Sequence, residues 1–253
     1  MKPKTIYDYP VYYDILFGWD RSKEAGFYHA AFERHGVRAG DRILEVACGT
    51  GQVARRLARR GWRVTGLDLK PGMLAFLQES AAREGLPIET LCSDMTTLSS
   101  EAKFGAAYNP MSSFRLLQTD DDAETHLRAM AAVLEPGGIY VLDMEFHDET
   151  QEPARNAGEA WSMTRDKVTV RAQEDTVHVS DDGVERVLPW SSDKHLRDYS
   201  SASFAERVGA ITELRIEAWH PERQGPSGIS EFDLERTTEA PAAGRTMVIL
   251  RRL

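Results

Sequence analysis

Three acidic side chains, Glu45, Asp68 and Asp94, close three successive apolar runs, and a glycine turn, Cys48-Gly-Thr-Gly51, follows the first of them. Glycines there let the backbone pass close to a ligand at the start of the next helix, where free N–H groups point outward. Asp68, ending Arg63-Val-Thr-Gly-Leu67, is placed to accept both hydroxyls of a ribose. Gly49-x-Gly51-x-x-Ala54 also satisfies the looser dinucleotide fingerprint, so the charge beside the turn has to discriminate. A Glu45 carboxylate about 6 Å from a pyrophosphate charge costs roughly 3 kcal/mol at an effective dielectric of about 20. The same carboxylate favours a ligand that is cationic at that end.

Glu45-Val-Ala-Cys-Gly-Thr-Gly-Gln52 resembles the first motif of the class I S-adenosylmethionine-dependent methyltransferases. In that resemblance Asp68 matches the ribose acid, and Ser93-Asp94-Met95 the adenine-side acid with its apolar partner. Leu134-Glu-Pro-Gly-Gly-Ile-Tyr-Val-Leu142 is similar to the family's turn into its fifth strand. The match runs in order over about residues 40 to 145 and is silent about the methyl acceptor. It implies S-adenosyl-L-methionine as cofactor and S-adenosyl-L-homocysteine as product. It also implies cofactor contacts from Tyr13, Glu45, Ala47, Gly49, Thr50, Gly51, Asp68, Leu69, Met73, Asp94, Met95 and Asn109. Met73 and Met95 would flank the adenine; as isolated methionines they also suit core filling.

Methyl transfer from a sulfonium is a direct displacement, so alignment of the acceptor carries most of the rate, and a base is needed only when the acceptor arrives protonated. Asp143, Glu145 and His147 are spaced by two, which in an extended strand puts them on one side of its C-terminal end, where open α/β sheets bind ligands. His147 titrates nearest neutrality and is the first candidate for a base or orienting group, with Glu145 beside it; the alternative is an ordinary surface histidine. The fourth strand ends in Tyr108-Asn109-Pro110-Met111-Ser112, so Asn109 would present its amide to the cleft. This segment resembles the family's acceptor-facing motif. It has Met111-Ser112 where the amino-methylating nucleic acid enzymes have proline and an aromatic, which disfavours a nucleobase acceptor. Tyr9, Trp19, Ser112 and Arg115 are the candidate acceptor contacts: Arg115 would hold an anionic group, or else pair with Asp120 to Asp122. Tyr7, Tyr9, Tyr12, Tyr13 and Trp19 would form a lid with cation–π help for a sulfonium, or simply anchor a terminal helix. The histidines and two cysteines show no metal-ligand spacing, and no Gly-x-Ser-x-Gly elbow or Walker loop is present.

The elements that position these groups read as an α/β, Rossmann-like, seven-stranded, mostly parallel sheet with helices on both faces and the last strand antiparallel, plus a small antiparallel β insert after the fifth strand. The expected layout is an N-terminal aromatic arm and helix over 1–38 as a cap, a cofactor-binding core over 39–147, the insert over 148–200, and completion of the core sheet over 201–253. Within it, strands are expected at Lys167–Ala172, Thr176–Ser180, Glu185–Leu188 and Lys194–Tyr199, and Ser203 with Glu206 fits a capping box. Residues 220–244 carry no clear pattern.

A net charge of -9 over 253 residues argues against a nucleic-acid backbone as partner and favours a small-molecule acceptor. Two cysteines make no disulfide framework, so both are expected reduced, with Cys92 in a buried strand. The opening residues have no apolar secretory core and no run reaches a membrane span, which reads as cytoplasmic and without a membrane partner. An exposed edge of the insert would invite a second copy, as a homodimer. Two other functions fit the same turn: an NAD(P)-dependent oxidoreductase, against which Glu45 and Asp94-Met95 count, and a non-catalytic S-adenosylmethionine-binding protein.

Overall fold

The computed structural model describes residues 4–148, 150, 160–190, 196–224, 230–232 and 239–253. The arm holds a short helix α1 (Pro10–Leu16), followed by α2 (Ser22–Arg34). Then strand and helix alternate: β1 (Arg42–Val46), α3 (Gln52–Ala58), β2 (Arg63–Asp68), α4 (Pro71–Arg83), β3 (Glu89–Cys92), β4 (Phe104–Asn109), α5 (Asp120–Val133) and β5 (Leu134–Phe146). A four-stranded antiparallel sheet follows, β6 (Trp161–Arg165), β7 (Val168–Gln173), β8 (Thr176–Asp181) and β9 (Val184–Pro189). Helix α6 (Ser201–Gly209), β10 (Leu214–Gln224), β11 (Ser230–Phe232) and β12 (Gly244–Arg252) return to the main sheet.

The main sheet has the order β11-β10-β12-β5-β4-β1-β2-β3. Strands β1 to β5 pair in parallel, and β12 runs antiparallel between β5 and β10. This is the expected seven-stranded sheet with one three-residue edge strand, β11, added beyond β10. Because helices cover both faces, the inner strands are apolar on both sides. Along β5, Tyr140, Leu142, Met144 and Phe146 enter the core under α5 and α6, while Ile139 and Val141 enter the core under α2 and α3. Each fully buried apolar side chain contributes about 1.5–3 kcal/mol, so these two cores hold the strand ends rigidly.

The small sheet turns Val170, Ala172, Val177, Val179 and Leu188 onto Ile6, Ile15, Leu16 and Phe17 of the arm. Arm and small sheet therefore share one apolar core, clasped by Arg165, whose Nη1 donates to the buried Asp14 at 2.7 Å.

Several local expectations change. Strand β6 precedes the first strand expected of the insert and adds a fourth to it. Residues 194 and 195 of the expected Lys194–Tyr199 strand lie outside the described residues, and within the remainder Tyr199 makes an isolated bridge to Phe146. Helix α6 begins before Ser203: Ser200 is its cap, and the reciprocal bonds run between Ser200 and Ser203 instead of Ser203 and Glu206. Cys92 is exposed because β3 is the sheet's edge strand. Strand β10 continues to Gln224, into the region that lacked a pattern.

Candidate active site

The glycine turn sits at the C-terminal end of β1. Ala47, Gly49 and Gly51 all have positive φ (54°, 52° and 70°), so the chain makes a tight reversal that closes with Gly51 N donating to Cys48 O at 2.8 Å. At Gly51 a Cβ would stand 2.2 Å from Leu77 Cδ1 of α4, so this position requires glycine on both conformational and packing grounds. Ala47 takes the same left-handed conformation with a side chain, a strain of roughly 1–2 kcal/mol.

Glu45 lies beneath this turn, 1% exposed, and accepts the Tyr108 hydroxyl at 3.1 Å on Oε2. Burial pushes its carboxyl up to about 8, partly offset by that hydrogen bond. The sequence reading treated Glu45 as a fixed charge. Burial shifts the balance toward its neutral form, and a positive charge beside it would shift that balance back. Asp68 accepts Gly49 N at 2.8 Å on Oδ2 and Lys70 N at 2.8 Å on Oδ1, which pins the second strand end to the turn. Burial raises its carboxyl, against those two bonds.

The arm forms the roof. Tyr13 is so close that a Cβ on Gly49 would meet its Cε1 at 3.2 Å. Tyr7 stacks toward Tyr13 at 5.6 Å, and burial, then the nearby Asp68, raises its phenol. Between roof and turn lies a pocket with about 370 Å³ of empty space, solvent mouth included, lined by Tyr13, Phe17, Arg21, Glu45, Thr50 and Met111 among others. Arg21 is 3% exposed: Nη1 donates to both oxygens of Glu24 (2.9 and 3.0 Å), and Nη2 turns to Met111 Sδ at 2.8 Å, a weak acceptor. The buried Thr50 hydroxyl has no hydrogen-bond partner. A buried guanidinium, an orphaned hydroxyl and an acid that ionises beside a cation fit a ligand carrying a carboxylate, an amino group and a sulfonium.

On the adenine side, Asp94 Oδ1 accepts Thr96 N at 2.8 Å and Thr96 Oγ1 at 2.7 Å, and Met95 packs partly buried on the main core. Leu69 is exposed next to Asp68, whereas Met73 is buried on α4.

The acceptor side departs most from expectation. Asn109 is fully buried: Nδ2 donates to Val46 O at 2.9 Å and Oδ1 accepts Phe114 N at 2.7 Å. Its amide staples β4 to β1 and to the following turn and does not face the cleft. Arg115 takes neither expected partner; Nε donates to Arg197 O at 2.7 Å and Nη2 to Asp198 Oδ1 at 2.6 Å, so it clamps the 197–198 segment. Asp143 is fully buried and accepts Met111 N at 2.9 Å, holding Met111 and Ser112 in consecutive left-handed conformations (φ 58° and 53°) at the pocket wall. Arg245 neutralises Asp143 through Nε at 2.9 Å and Nη2 at 2.7 Å and also reaches Glu24. Two residues beyond Asp143, Glu145 is exposed to solvent, and partial desolvation raises its carboxyl, opposed first by Arg115 and reinforced by Asp143. His147 is half-buried: its backbone N–H donates to Tyr199 O at 3.1 Å, and its ring Nδ1 is buried with no hydrogen-bond partner. Trp19 stands over the Arg21 guanidinium at 4.0 Å, and Tyr9 stacks on Tyr12 at 5.7 Å, away from the pocket lining.

Arg21 in the pocket lining and the Asp143–Arg245 pair behind Met111 are arrangements that the sequence did not reveal. Arg21 meets Met111 across 90 positions and Arg245 meets Asp143 across 102, and no local spacing announces such pairs.

Fold and site together define a Rossmann-like domain whose first three parallel strands end in acids around a glycine turn. Residues 43–138 match the family described as "Methyltransferase domain". The ubiquinone biosynthesis O-methyltransferase of Chromobacterium violaceum is 31% identical over 127 residues, 47% of this chain and 54% of that protein. The chain spans about half the length of the curated relatives it matches. An S-adenosylmethionine-dependent methyltransferase from Clostridium acetobutylicum ATCC 824 has the same fold with a TM-score of 0.70, 18% identity, and coverage of 95% of this chain and 96% of that one. The sugar N-methyltransferase KedS8 from Streptoalloteichus sp. ATCC 53650 gives 0.68 at 19% identity, covering 96% and 92%. Residues 43–138 are thus similar to a methyltransferase domain, and the whole chain shares its fold with S-adenosylmethionine-dependent methyltransferases.

Proposed function

We propose that the protein transfers the methyl group of S-adenosylmethionine to a nitrogen or oxygen of a small molecule. The observation that supports this reading is the Asp143–Met111 bond of 2.9 Å, because it ties the end of β5, the strand that carries Glu145 and leads to His147, to Met111 of the pocket lining. When bound, the cofactor supplies an electrophilic methyl on a sulfonium. Glu45 counters the positive end of the ligand, and Arg21 with the Thr50 hydroxyl takes its carboxylate. Asp68 holds the ribose hydroxyls, Asp94 and Met95 the adenine. Met111 and Ser112 wall the transfer site, while Trp19 and the arm keep water out. Glu145 and His147 orient the acceptor; the raised carboxyl of Glu145 suits it to take a proton from an acceptor that arrives protonated.

The likeness to a sugar N-methyltransferase and to an O-methyltransferase supports a small polar acceptor of either kind. Free thiols at Cys48 and Cys92 support a cytoplasmic setting, and among the described residues no helix is long and apolar enough to cross a membrane. Exposed Val184 and Val187 on the edge strand β9 support pairing of two copies there; light scattering at micromolar concentration that returns 28.4 kDa removes that part.

The function is tested by calorimetric titration with S-adenosylmethionine and S-adenosylhomocysteine, followed by a panel of small amines and alcohols scored for S-adenosylhomocysteine release. Absence of micromolar binding by either nucleoside would sink the reading. Release that survives the Glu145→Ala and His147→Ala double variant would remove those two residues from the chemistry.

A further inference from the structure

His126, on α5, is fully buried and takes no part in the chemistry proposed above. Its Nδ1 lies 2.9 Å from Met95 O and its Nε2 2.9 Å from the Tyr140 hydroxyl. A carbonyl oxygen can only accept, so Nδ1 carries the hydrogen and Nε2 accepts from Tyr140. The result is a directed relay from β5, through α5, to the loop that follows β3.

That loop is folded on itself around Asp94. Thr96 donates to Asp94 Oδ1 twice, Thr97 N donates to Asp94 O at 3.2 Å, and Ser93 N donates to Asp68 O at 3.2 Å. The Asp94 bonds set the loop's shape, and the Ser93 bond ties its first residue to the end of β2; beyond that the loop needs a second anchor. The Met95 carbonyl supplies that anchor, because it is tied to a ring wedged edge-on against Phe114 and Tyr140, both at 5.7 Å. A neutral imidazole with one donor and one acceptor fills this place without leaving a buried polar atom unpaired.

We propose that His126 is a positioning residue for base recognition: the Tyr140–His126–Met95 relay sets where the Asp94 carboxylate and the Met95 side chain meet the adenine. This rests on the cofactor reading given above. Removing the Nδ1–H donor lets the loop shift, and the carboxylate then no longer meets the exocyclic amine at bonding distance.

The experiment compares S-adenosylhomocysteine with S-inosylhomocysteine, in which a carbonyl replaces that amine, by calorimetry on the full chain. Wild type is expected to favour the adenine compound by about tenfold or more, the range of one hydrogen bond to a charged group. His126→Asn keeps an amide N–H near the Nδ1 place and should retain that preference. His126→Gln puts its amide near the Nε2 place and should cut the preference at least about fivefold, with an unchanged circular dichroism spectrum. A merely structural role would lower the melting temperature of both variants and leave the ratio alone. Equal ratios in wild type and His126→Gln overturn the proposal. Should His126→Gln fail to fold, Tyr140→Phe, which removes one hydroxyl, decides in the same way: a reduced ratio supports the relay and an unchanged one overturns it. Wild type that binds neither compound overturns the cofactor reading and this proposal with it, whereas binding without a change in ratio overturns this proposal alone.

Discussion

The hydroxyl of Tyr108 lies 3.1 Å from Oε2 of Glu45, and both side chains are sealed from water beneath the glycine turn. The pair gives Glu45 a hydrogen-bond partner but not a positive one, which is why burial dominates and its carboxyl rises to about 8.

A cationic ligand end placed beside Glu45 should therefore expel its proton. Calorimetric binding of S-adenosylmethionine at pH 7 is expected to release close to one proton, seen as a different apparent enthalpy in phosphate and in Tris buffer. Glu45→Gln should erase the difference and weaken binding by roughly 10- to 100-fold, the value of a charge-assisted bond. Identical enthalpies in the two buffers for wild type would exclude this coupling.

Stability should respond to pH through two buried groups with opposite signs. Glu45 has a folded value raised to about 8 from 4.5, so between these the folded state holds the extra proton and stability falls as pH rises. His126 has a folded value lowered by burial to about 4 from 6.5, so there the unfolded chain holds the extra proton and stability rises with pH. Each slope is about 1.4 kcal/mol per pH unit within its window. Between about 4.5 and 6.5 the two slopes cancel, so urea unfolding of wild type should be level there and decline only above about 6.5; in His126→Gln the decline should begin near 4.5, and in Glu45→Gln a rise from about 4 to 6.5 should emerge with no alkaline decline.

Gly51→Ala should be severe. The new Cβ is forced into a left-handed residue at φ 70° and onto Leu77, so a loss of about 2–5 kcal/mol is expected from the sum of backbone strain and overpacking. Thermal unfolding checks the stability, and loss of S-adenosylhomocysteine binding in whatever remains folded checks the turn.

Arg21→Met removes the guanidinium, and with it the charge and the contacts to Glu24, Met111 and Trp19, and leaves an apolar stem. Affinity for S-adenosylhomocysteine should fall roughly tenfold or more, while 5′-methylthioadenosine, which has no carboxylate, should bind as in wild type. Equal losses for both ligands would place the carboxylate elsewhere.

Asp143→Ala leaves Arg245 and Met111 N without their shared partner. A destabilisation of about 3 kcal/mol or more is expected in urea, as for a broken buried pair. The Arg245→Met, Asp143→Leu double variant should recover part of it, since an apolar pair buries no unpaired charge.

What the residues by themselves determined is the part that local physics controls. Alternating apolar runs with helix stops give the parallel sheet, and the glycines at 49 and 51, with acids 45, 68 and 94 closing three strands, give the cofactor end. The spacing of Asp143, Glu145 and His147 put two groups on β5 and the third just past its end, and Asp143 does reach the pocket wall through Met111. Only the tertiary structure decided what those groups do. Asn109 looked like a cleft amide because it ends a strand before a proline; it is a staple because Val46 and Phe114 offer it an acceptor and a donor in the core. Arg115 looked like an anion holder and is consumed by Asp198, 83 positions away. Arg21, invisible in any periodicity, became a pocket wall by meeting Met111. Backbone preferences act over a few residues and can be read along the chain. Whether a polar side chain stays available for a ligand depends on which distant donors and acceptors reach it first, because a buried polar group bonds to whatever partner the packing presents.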